Sequence, residues 1–558
     1  MREAVARILK KALKEKGVVL SEEEIEKLVE IPPSSEMGDY AFPCFFLSEK
    51  LKDNPSEIAL ELREKIGNAP EMFEDIQTKG PYINFFVNRK DLAKQTVSQI
   101  LSQKNDFGRT NIGKKEKALI EHTSINPNAS PHVGRARNAI IGDSIVKIFD
   151  FLGFKTETHY YVNDVSKQIA MLVLAGAESL SFDKMLESYI KISKKVEKSK
   201  KLEQKVFSWL KKFESGNKEA VKKFEKITAT CVKGQSEILK KLGIQYEFFD
   251  YESNYLERSK EILEALKKTG KLLKDKDNRL YLNQEDTPLK GMMKSPVLVL
   301  TRSDSTGLYP LRDIAYTMEK MQIAEKNMIV LGEDQKLYFL QLKEALSLLN
   351  SKAPEVVHYS FILLQKKGKS KKMSTRKGDV VLLEDFFDEL TAKAKKEIKK
   401  RKTTGNPNAV AIAALKYKIL KNSPNKLIQF DPDEALNFDG DTGPYILYSY
   451  ARASSILKKS KIQSNKFEIH DLEEKEIELV KKLSQFPETV LSAYKNLNPS
   501  LIANYSYQLA QVFNEFYHTC KVIGSEEQEA FRLSLVQSFR QVLKNALWLL
   551  GIETVEKM

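Results

Sequence analysis

The stretch from residue 117 to 162 constrains the fold more than any other part of the sequence. Ala118-Leu-Ile-Glu121 is a short apolar strand, and a Pro/Asn/Ser loop follows from Ser124 to Pro131. A helical pattern then runs from about Gly134 to Phe151, with Ile140, Ile141, Ile145, Ile148 and Phe149 on its apolar side and Gly153 as its stop. Thr156 to Val162 reads as another strand. Strand, loop, helix, strand is the opening of a parallel α/β sheet. Val297-Leu-Val-Leu300 and Met328-Ile-Val-Leu331 are fully apolar short strands of the kind such a sheet buries on both faces. The fold class is therefore α/β, with a doubly wound, Rossmann-type parallel sheet.

That sheet cannot use all 558 residues, and three or four domains of roughly 150 residues are expected. Residues 1–108 read as a small α+β unit. It has a helix from Val5 to Lys14, a second from Asn54 to Ile66, turn chemistry at Gly38-Asp-Tyr-Ala-Phe-Pro43, and a strand at Pro81-Tyr-Ile-Asn-Phe-Phe-Val87. The parallel-sheet domain spans 112–385. A lysine-rich helical insertion near 183–275, punctuated by Gly216 and Gly243, divides it. From Glu384 onward the pattern is nearly all helical, read as a junction over 386–440 and a helical domain over 441–558.

Lys and Arg number 91 against 76 Asp and Glu, a net +15. This fits a polyanionic partner, and it fits equally the solvated faces of lysine-rich helices, which is the reading taken for the insertion. No run of about 18 apolar residues is present, so no membrane helix is expected. Cys44, Cys231 and Cys520 lie too far apart for a metal motif or a disulfide framework and suit a reducing cytoplasm. His122, His159, His358, His470 and His518 have no metal-ligand spacing, and no metal site is assigned to the protein.

Two constellations carry chemistry. The first, Glu121, Asn126, Asn128 and His132-Val-Gly-Arg135, lies between a strand and a helix. Backbone N–H groups at a helix N-terminus stabilise anions there, and Gly134 lets a phosphate or a purine approach the backbone. An ordinary loop with a capping histidine has the same pattern. The second is Lys369-Ser-Lys-Lys-Met-Ser-Thr-Arg-Lys-Gly378. With Lys366 and Lys367 it crowds seven cations into one loop able to close on a triphosphate and neutralise the leaving pyrophosphate. A solvated basic loop is the plainer reading. Gly368-Lys-Ser370 is not a P-loop, because position 363 is Leu.

His132-Val-Gly-Arg135 resembles the "HIGH" signature of class I aminoacyl-tRNA synthetases, and Lys372-Met-Ser-Thr-Arg376 resembles their "KMSKS" signature. Further segments resemble the arginyl-tRNA synthetase family in particular: Glu121-His-Thr-Ser-Ile-Asn-Pro-Asn128, Tyr161-Val-Asn-Asp-Val-Ser-Lys-Gln168, Tyr309-Pro-Leu-Arg-Asp313 and Gly332-Glu-Asp-Gln335. Gly80-Pro-Tyr-Ile-Asn84, Asp441-Thr-Gly-Pro-Tyr-Ile-Leu-Tyr448 and the C-terminal Leu550-Gly-Ile-Glu-Thr-Val-Glu-Lys-Met558 match as well, so the resemblance covers nearly the whole chain.

The resemblance implies an ATP-dependent ligase, with Mg2+ accompanying ATP, that activates L-arginine and transfers it to tRNA(Arg). It implies that Glu121 and Asp313 hold the guanidinium with Tyr309 beside it, and that Asn126 and Gln335 hold the α-amino and carboxylate groups, with Gln168 nearby. Two carboxylates and a tyrosine match the donor fork of a planar cation, bidentate pairing separating arginine from lysine. Pairing of Glu121 and Asp313 with Arg312 or other internal cations is the structural alternative. ATP falls to Asn128, His132, Gly134, Arg135, Lys372, Met373 and Ser374, of which His132, Arg135 and Lys372 are the catalytic set. For tRNA the resemblance implies Tyr82 and Asn84 of an N-terminal add-on domain and Tyr448 and Met558 of a helical anticodon-binding domain. A cytoplasmic monomer is expected. The first signature ends in Arg135, where the family usually has His. This substitution would favour a non-catalytic tRNA-binding paralogue, but arginine keeps hydrogen-bonding capacity there, and an active enzyme with an altered contact is expected.

Overall fold

The computed structural model describes residues 2–32, 35–304, 306–366, 369–371, 381–402, 404–460 and 467–558. The chain packs as two compact units, one of residues 1–104, 460–484 and 512–539, the other of 105–459, 485–511 and 540–558. The helical segment 441–558 is thus shared between them. Among the described residues no helix is long and apolar enough to cross a membrane.

In the first unit, β1 (Tyr40–Pro43), β2 (Phe73–Lys79) and β3 (Tyr82–Val87) form an antiparallel sheet in the order β1-β3-β2. Phe42, Ile83 and Phe85 of the sheet meet Val5, Leu9 and Leu13, which recur every four residues along the helix Arg2–Glu15. The helix Pro55–Ile66 closes the same core with Ile58 and Leu62. Its start is set by Asn54, whose side chain accepts from Ser56 N at 2.9 Å, and by Pro55 in the first turn.

In the second unit, β4 (Lys117–Glu121), β5 (Lys155–Val162) and β6 (Phe248–Tyr251) join, after an intervening small sheet, β10 (Lys326–Gly332) and β11 (Glu355–Tyr359). All neighbours are parallel, in the order β11-β10-β4-β5-β6. Counted within this sheet alone the order is 3-2-1-4-5, the doubly wound order, and it reverses between β4 and β10. In such sheets the crevice beyond the carboxyl ends of the two strands at the reversal is where ligands bind. Glu121 ends β4 and Gly332 ends β10, so the topology brings two motifs 211 residues apart to one crevice.

Two sequence expectations are corrected. Val297–Val299 is β9, and it lies outside the parallel sheet. It pairs antiparallel with β8 (Leu280–Asn283), which pairs antiparallel with β7 (Leu272–Lys274). Only a short 3-10 turn, Pro288–Gly291, joins β8 to β9, which offers no helical crossover for a parallel pair. The strand is apolar because Leu298 joins Leu282, Leu300 and Leu311 in a local core. The insertion is also shorter than expected. Its helices, Phe182–Glu197, Lys200–Glu214 and Lys218–Lys241, pack around Tyr189, Leu210 and Phe224, after which β6 returns to the sheet beside β5. The mostly helical region after 384 holds one further strand, β14 (Ile428–Phe430), parallel to β12 (Ile362–Lys366), which in turn pairs with β13 (Lys369–Lys371).

The helix Val133–Phe151 packs on this sheet and is the hub of the second unit. Gly142 is where the His122 ring presses against it: a Cβ there would lie 2.2 Å from His122 Cγ. Deeper along it, Ser144 donates to Leu549 O at 2.7 Å, and Asp143 pairs with Lys416 (3.2 Å), whose ammonium also reaches Gly551 O at 2.8 Å. Gly551 has φ +65°, and a Cβ there would lie 2.4 Å from Lys416 Nζ. The C-terminal Leu550-Gly-Ile motif therefore has a structural task, docking the chain end on the helix that begins with the first signature.

Candidate active site

Immediately after Glu121 the backbone leaves the sheet through two non-glycine residues in left-handed conformation, Thr123 (φ +84°) and Ser124 (φ +38°). Such conformations cost energy and persist only where surrounding contacts enforce them. Asn138 of the helix supplies one, accepting from Thr123 N at 2.6 Å while donating to Val330 O at 2.8 Å. Beyond the turn, Tyr160 OH lies 3.1 Å from Ile125 N and 2.9 Å from Gln235 Oε1, and the Gln235 amide donates to Asn126 O (3.0 Å) and Ala129 O (2.8 Å). A glutamine from the lysine-rich insertion thus fixes the loop that carries Asn126 and Asn128.

His132 is the N-cap of the helix Val133–Phe151. Its ring is half-buried and Nδ1 is buried without a partner. Burial, and then the nearby Arg135 charge, push the imidazole pKa down to about 4, so the ring is neutral near pH 7. Arg135 is half-buried, and among the described residues its side chain makes no hydrogen bond or ion pair. Val133 N donates to Val381 O at 3.1 Å and Leu383 N donates to Pro131 O at 2.8 Å. The buried Arg137 guanidinium donates to Ser360 O (2.6 Å) and Ser423 O (3.2 Å). The chain just before β12 and the chain at 381–383 are therefore both tied to the first signature. Lys372, Met373 and Ser374 lie outside the described residues.

On the opposite side of the crevice the helix Tyr309–Ile323 starts with Pro310 in its first turn. Tyr309, Asp313, Tyr316 and Lys320 are spaced four, three and four apart and so form one stripe. Lys320 pairs with Glu121 Oε2, and both are nearly fully buried, at 1% and 3% exposure. Asp313 accepts a hydrogen bond from Tyr338 OH through Oδ2. Burial pushes the Asp313 carboxyl pKa up, and the Glu121 charge adds to the rise against the opposing Tyr338 bond, Arg312 and Lys320. Asp313 shares the helix of Lys320, the partner of Glu121, and the Glu121 charge acts on it from nearby. The Tyr309 ring is 5.1 Å from that of Tyr338, and the Tyr161 ring stacks on Tyr316 at 4.6 Å. Arg312 is committed elsewhere, Nε donating to Glu252 Oε1 at 2.5 Å.

Three polar atoms near this end of β5 are buried without partners among the described residues: Tyr161 OH, Asn163 Oδ1 and Gln168 Oε1. Gln168 opens the helix Lys167–Leu174, which Ser166 caps by accepting from Ile169 N at 3.3 Å. Gln335 is exposed in the turn after β10. The structure thus brings together Glu121, Asp313 and Tyr309. Tyr82 and Asn84 belong to the first unit: Tyr82 is half-buried, 5.5 Å from the Phe45 ring, and Asn84 is buried. Tyr448 lies under the Arg452 guanidinium at 4.9 Å, and Met558 is half-buried near Gly405.

Sequence reading missed Lys320, Tyr338, Arg137, Asn138, Tyr160 and Gln235. Gln235 left a signal, since it sits at helical spacing in the apolar stripe of Phe224, Ile227, Cys231 and Ile238. Lys320 left one too, at helical spacing with Tyr309, Asp313 and Tyr316, and so did Asn138, with Ile141 and Ile145; Tyr338, Arg137 and Tyr160 carry no such mark.

Three family models cover the chain: "Arginyl tRNA synthetase N terminal domain" over residues 1–87, "tRNA synthetases class I (R), catalytic domain" over 96–430, and "DALR anticodon binding domain" over 446–558. The chain belongs to the arginyl-tRNA synthetase family. Its relatives include the arginine–tRNA ligase of Methanocaldococcus jannaschii, 36% identical over 98% of each chain, and that of Clostridium perfringens, 35% identical over 97% of this chain and 98% of the relative. Among solved structures it is similar to the Thermus thermophilus arginyl-tRNA synthetase, with TM-score 0.83, 25% identity and full coverage of both chains. The family assignment accounts for the doubly wound sheet and for the helical C-terminal segment.

Proposed function

We propose that the protein ligates L-arginine to tRNA(Arg), using ATP and releasing AMP and pyrophosphate. The observation that carries the reading is Glu121 at the switch point of the sheet, tied through Lys320 to the helix that carries Asp313, beside a helix N-terminus suited to phosphates. The guanidinium lies between these carboxylates with Tyr309 along its stem. The unpartnered Gln168 Oε1 suits the α-ammonium group, and Asn126 and Gln335 complete the contacts to the amino acid.

ATP lies over Gly134 with its phosphates at the start of the helix Val133–Phe151. Neutral His132 donates one hydrogen bond, and Arg135 supplies a permanent charge. Asn128 and the segment Lys372-Met-Ser374 contact the nucleotide, and Mg2+ comes with the triphosphate. The arginine carboxylate attacks the α-phosphate, pyrophosphate leaves, and the terminal ribose hydroxyl of the tRNA then takes the arginyl group. No protein nucleophile is needed, because the site positions the reactants and stabilises charge. Tyr82 and Asn84, and Tyr448 and Met558 on the helical segment, are assigned to the tRNA. We place the protein in the cytoplasm as a monomer. Formation of arginyl-tRNA from labelled arginine, ATP and tRNA(Arg) tests the reading, and a wild-type protein that forms none overturns it.

Lys372→Ala is expected to slow adenylate formation by about 10²-fold with little change in arginine affinity, since leaving-group charge develops only in the transition state. Single-turnover activation rates check this, and an unchanged rate would remove Lys372 from the catalytic set.

A further inference from the structure

Glu121 and Asp313 each have one oxygen tied to a partner, the buried Lys320 and the half-buried Tyr338. Lys320 holds Glu121 Oε2 and Tyr338 OH holds Asp313 Oδ2. Among the described residues Glu121 Oε1 has only a long contact from Ser124 Oγ at 3.5 Å. Lys320 is itself fixed from several sides: its ammonium lies 4.5 Å from the Tyr316 ring centroid, and its carbonyl accepts from Asn327 Nδ2 at 2.6 Å. Tyr316 OH in turn donates to Asp250 Oδ2 at 2.8 Å, and Asp250 Oδ2 is 2.7 Å from His159 Nδ1. The other cation beside the pocket, Arg312, is committed to Glu252.

We propose that Lys320 is a positioning residue for arginine recognition: bound to one oxygen of Glu121, it offers the substrate the other and leaves the Glu121–Asp313 pair one net negative charge for one guanidinium to neutralise. This rests on the arginine-ligase reading of the site. The buried Glu121 and the half-buried Asp313 near it need a counter-charge if both are to stay ionised. A built-in ammonium allows both to be ionised before substrate arrives. The geometry also changes the expected recognition. One oxygen from each carboxylate replaces a bidentate fork on a single carboxylate.

Lys320→Met removes the counter-charge. Around position 320, Glu121 from β4 and Tyr316 on its own helix contact the ammonium, Asp313 lies on the same helix, and Asp250 from β6 and Tyr255 after β6 reach it through Tyr316. With the ammonium gone, the Asp313 carboxyl pKa rises further, because Lys320 is one of the groups that hold it down. As pH falls, a carboxyl protonates earlier than in the wild type and the guanidinium loses a charged partner. The acid limb of kcat/KM for arginine in ATP–pyrophosphate exchange should therefore move up by about one pH unit or more. KM for arginine at pH 7 should rise at least about tenfold, with KM for ATP within about twofold. An acid limb and an arginine-to-ATP KM ratio that both stay at wild-type values would overturn the proposal, even if thermal stability dropped. Should Lys320→Met fail to fold, the double variant Glu121→Gln with Lys320→Met removes the pair together and keeps the pocket's net charge. Its acid limb should stay at the wild-type position while KM for arginine rises, and a limb displaced upward would contradict the charge argument. If wild-type protein itself shows no arginine-dependent exchange, the arginine-ligase reading fails instead.

Discussion

Asp313→Asn is expected to lower kcat/KM for arginine by roughly 30- to 1000-fold, or about 2–4 kcal/mol, with KM for ATP nearly unchanged. Asn matches the carboxylate in shape and can still accept from Tyr338 OH, so the helix Tyr309–Ile323 should remain folded. What it lacks is the charge near Glu121. A guanidinium in a desolvated site would keep one ionised partner instead of two, and Lys320 already balances that partner. Steady-state exchange kinetics with arginine and with ATP as the varied substrates check the result. A fall confined to thermal stability would make Asp313 a structural residue and remove the pocket assignment.

The second large effect concerns stability. Asp143→Ala should destabilise the second unit by about 3–5 kcal/mol, because it leaves the fully buried Lys416 ammonium without its carboxylate. Burial alone would raise the Asp143 carboxyl pKa, but Lys416 and Lys147 bring it below the usual range. The pair's stabilisation is thus complete above the unfolded carboxyl pKa and is lost as pH falls through the lower folded value. Urea unfolding of wild type, Asp143→Ala, and the double variant with Lys416→Met gives the comparison. The double variant should recover part of the loss, because no unpaired buried charge remains. Equal loss in both would show that packing, not charge, dominates at this position.

The parts of the fold that were legible are those in which one local pattern suffices. The span from Lys117 to Val162 has strand and helix periods in succession with glycine punctuation, and β4, the helix Val133–Phe151 and β5 follow it closely. β9 was misplaced because an apolar run carries no information about the direction of its neighbour. The end of the insertion was misplaced because Phe248-Phe-Asp-Tyr251 is short and half-exposed, as suits an edge strand. In the site, the motifs pointed to Glu121, Tyr309 and Asp313 but not to the residues that hold them. In sequence Tyr338 is an ordinary tyrosine, and the helical spacing of Lys320 says nothing of what it faces. They become parts of the pocket only when the helix Tyr309–Ile323 lies against the end of β4 and Tyr338 stands next to it. Arg137 likewise reads as a surface arginine on a helix, yet it is buried with its guanidinium on the carbonyls of Ser360 and Ser423.

Arginine-dependent ATP–pyrophosphate exchange, run with and without tRNA(Arg) and with lysine in place of arginine, bears most directly on the whole account. Wild-type protein with tRNA should exchange label with arginine and not with lysine. On the proposed reading a planar guanidinium spans Glu121 and Asp313 with donors held in a fixed fork, whereas a compact ammonium on a flexible stem has no such preorganised reach. His132→Ala should cut that exchange clearly, and Arg135→His should leave it within about tenfold of wild type, or ~1.4 kcal/mol in the barrier. Absence of exchange in the wild type, restored by Arg135→His, would show that Arg135 blocks the nucleotide site and would contradict the account.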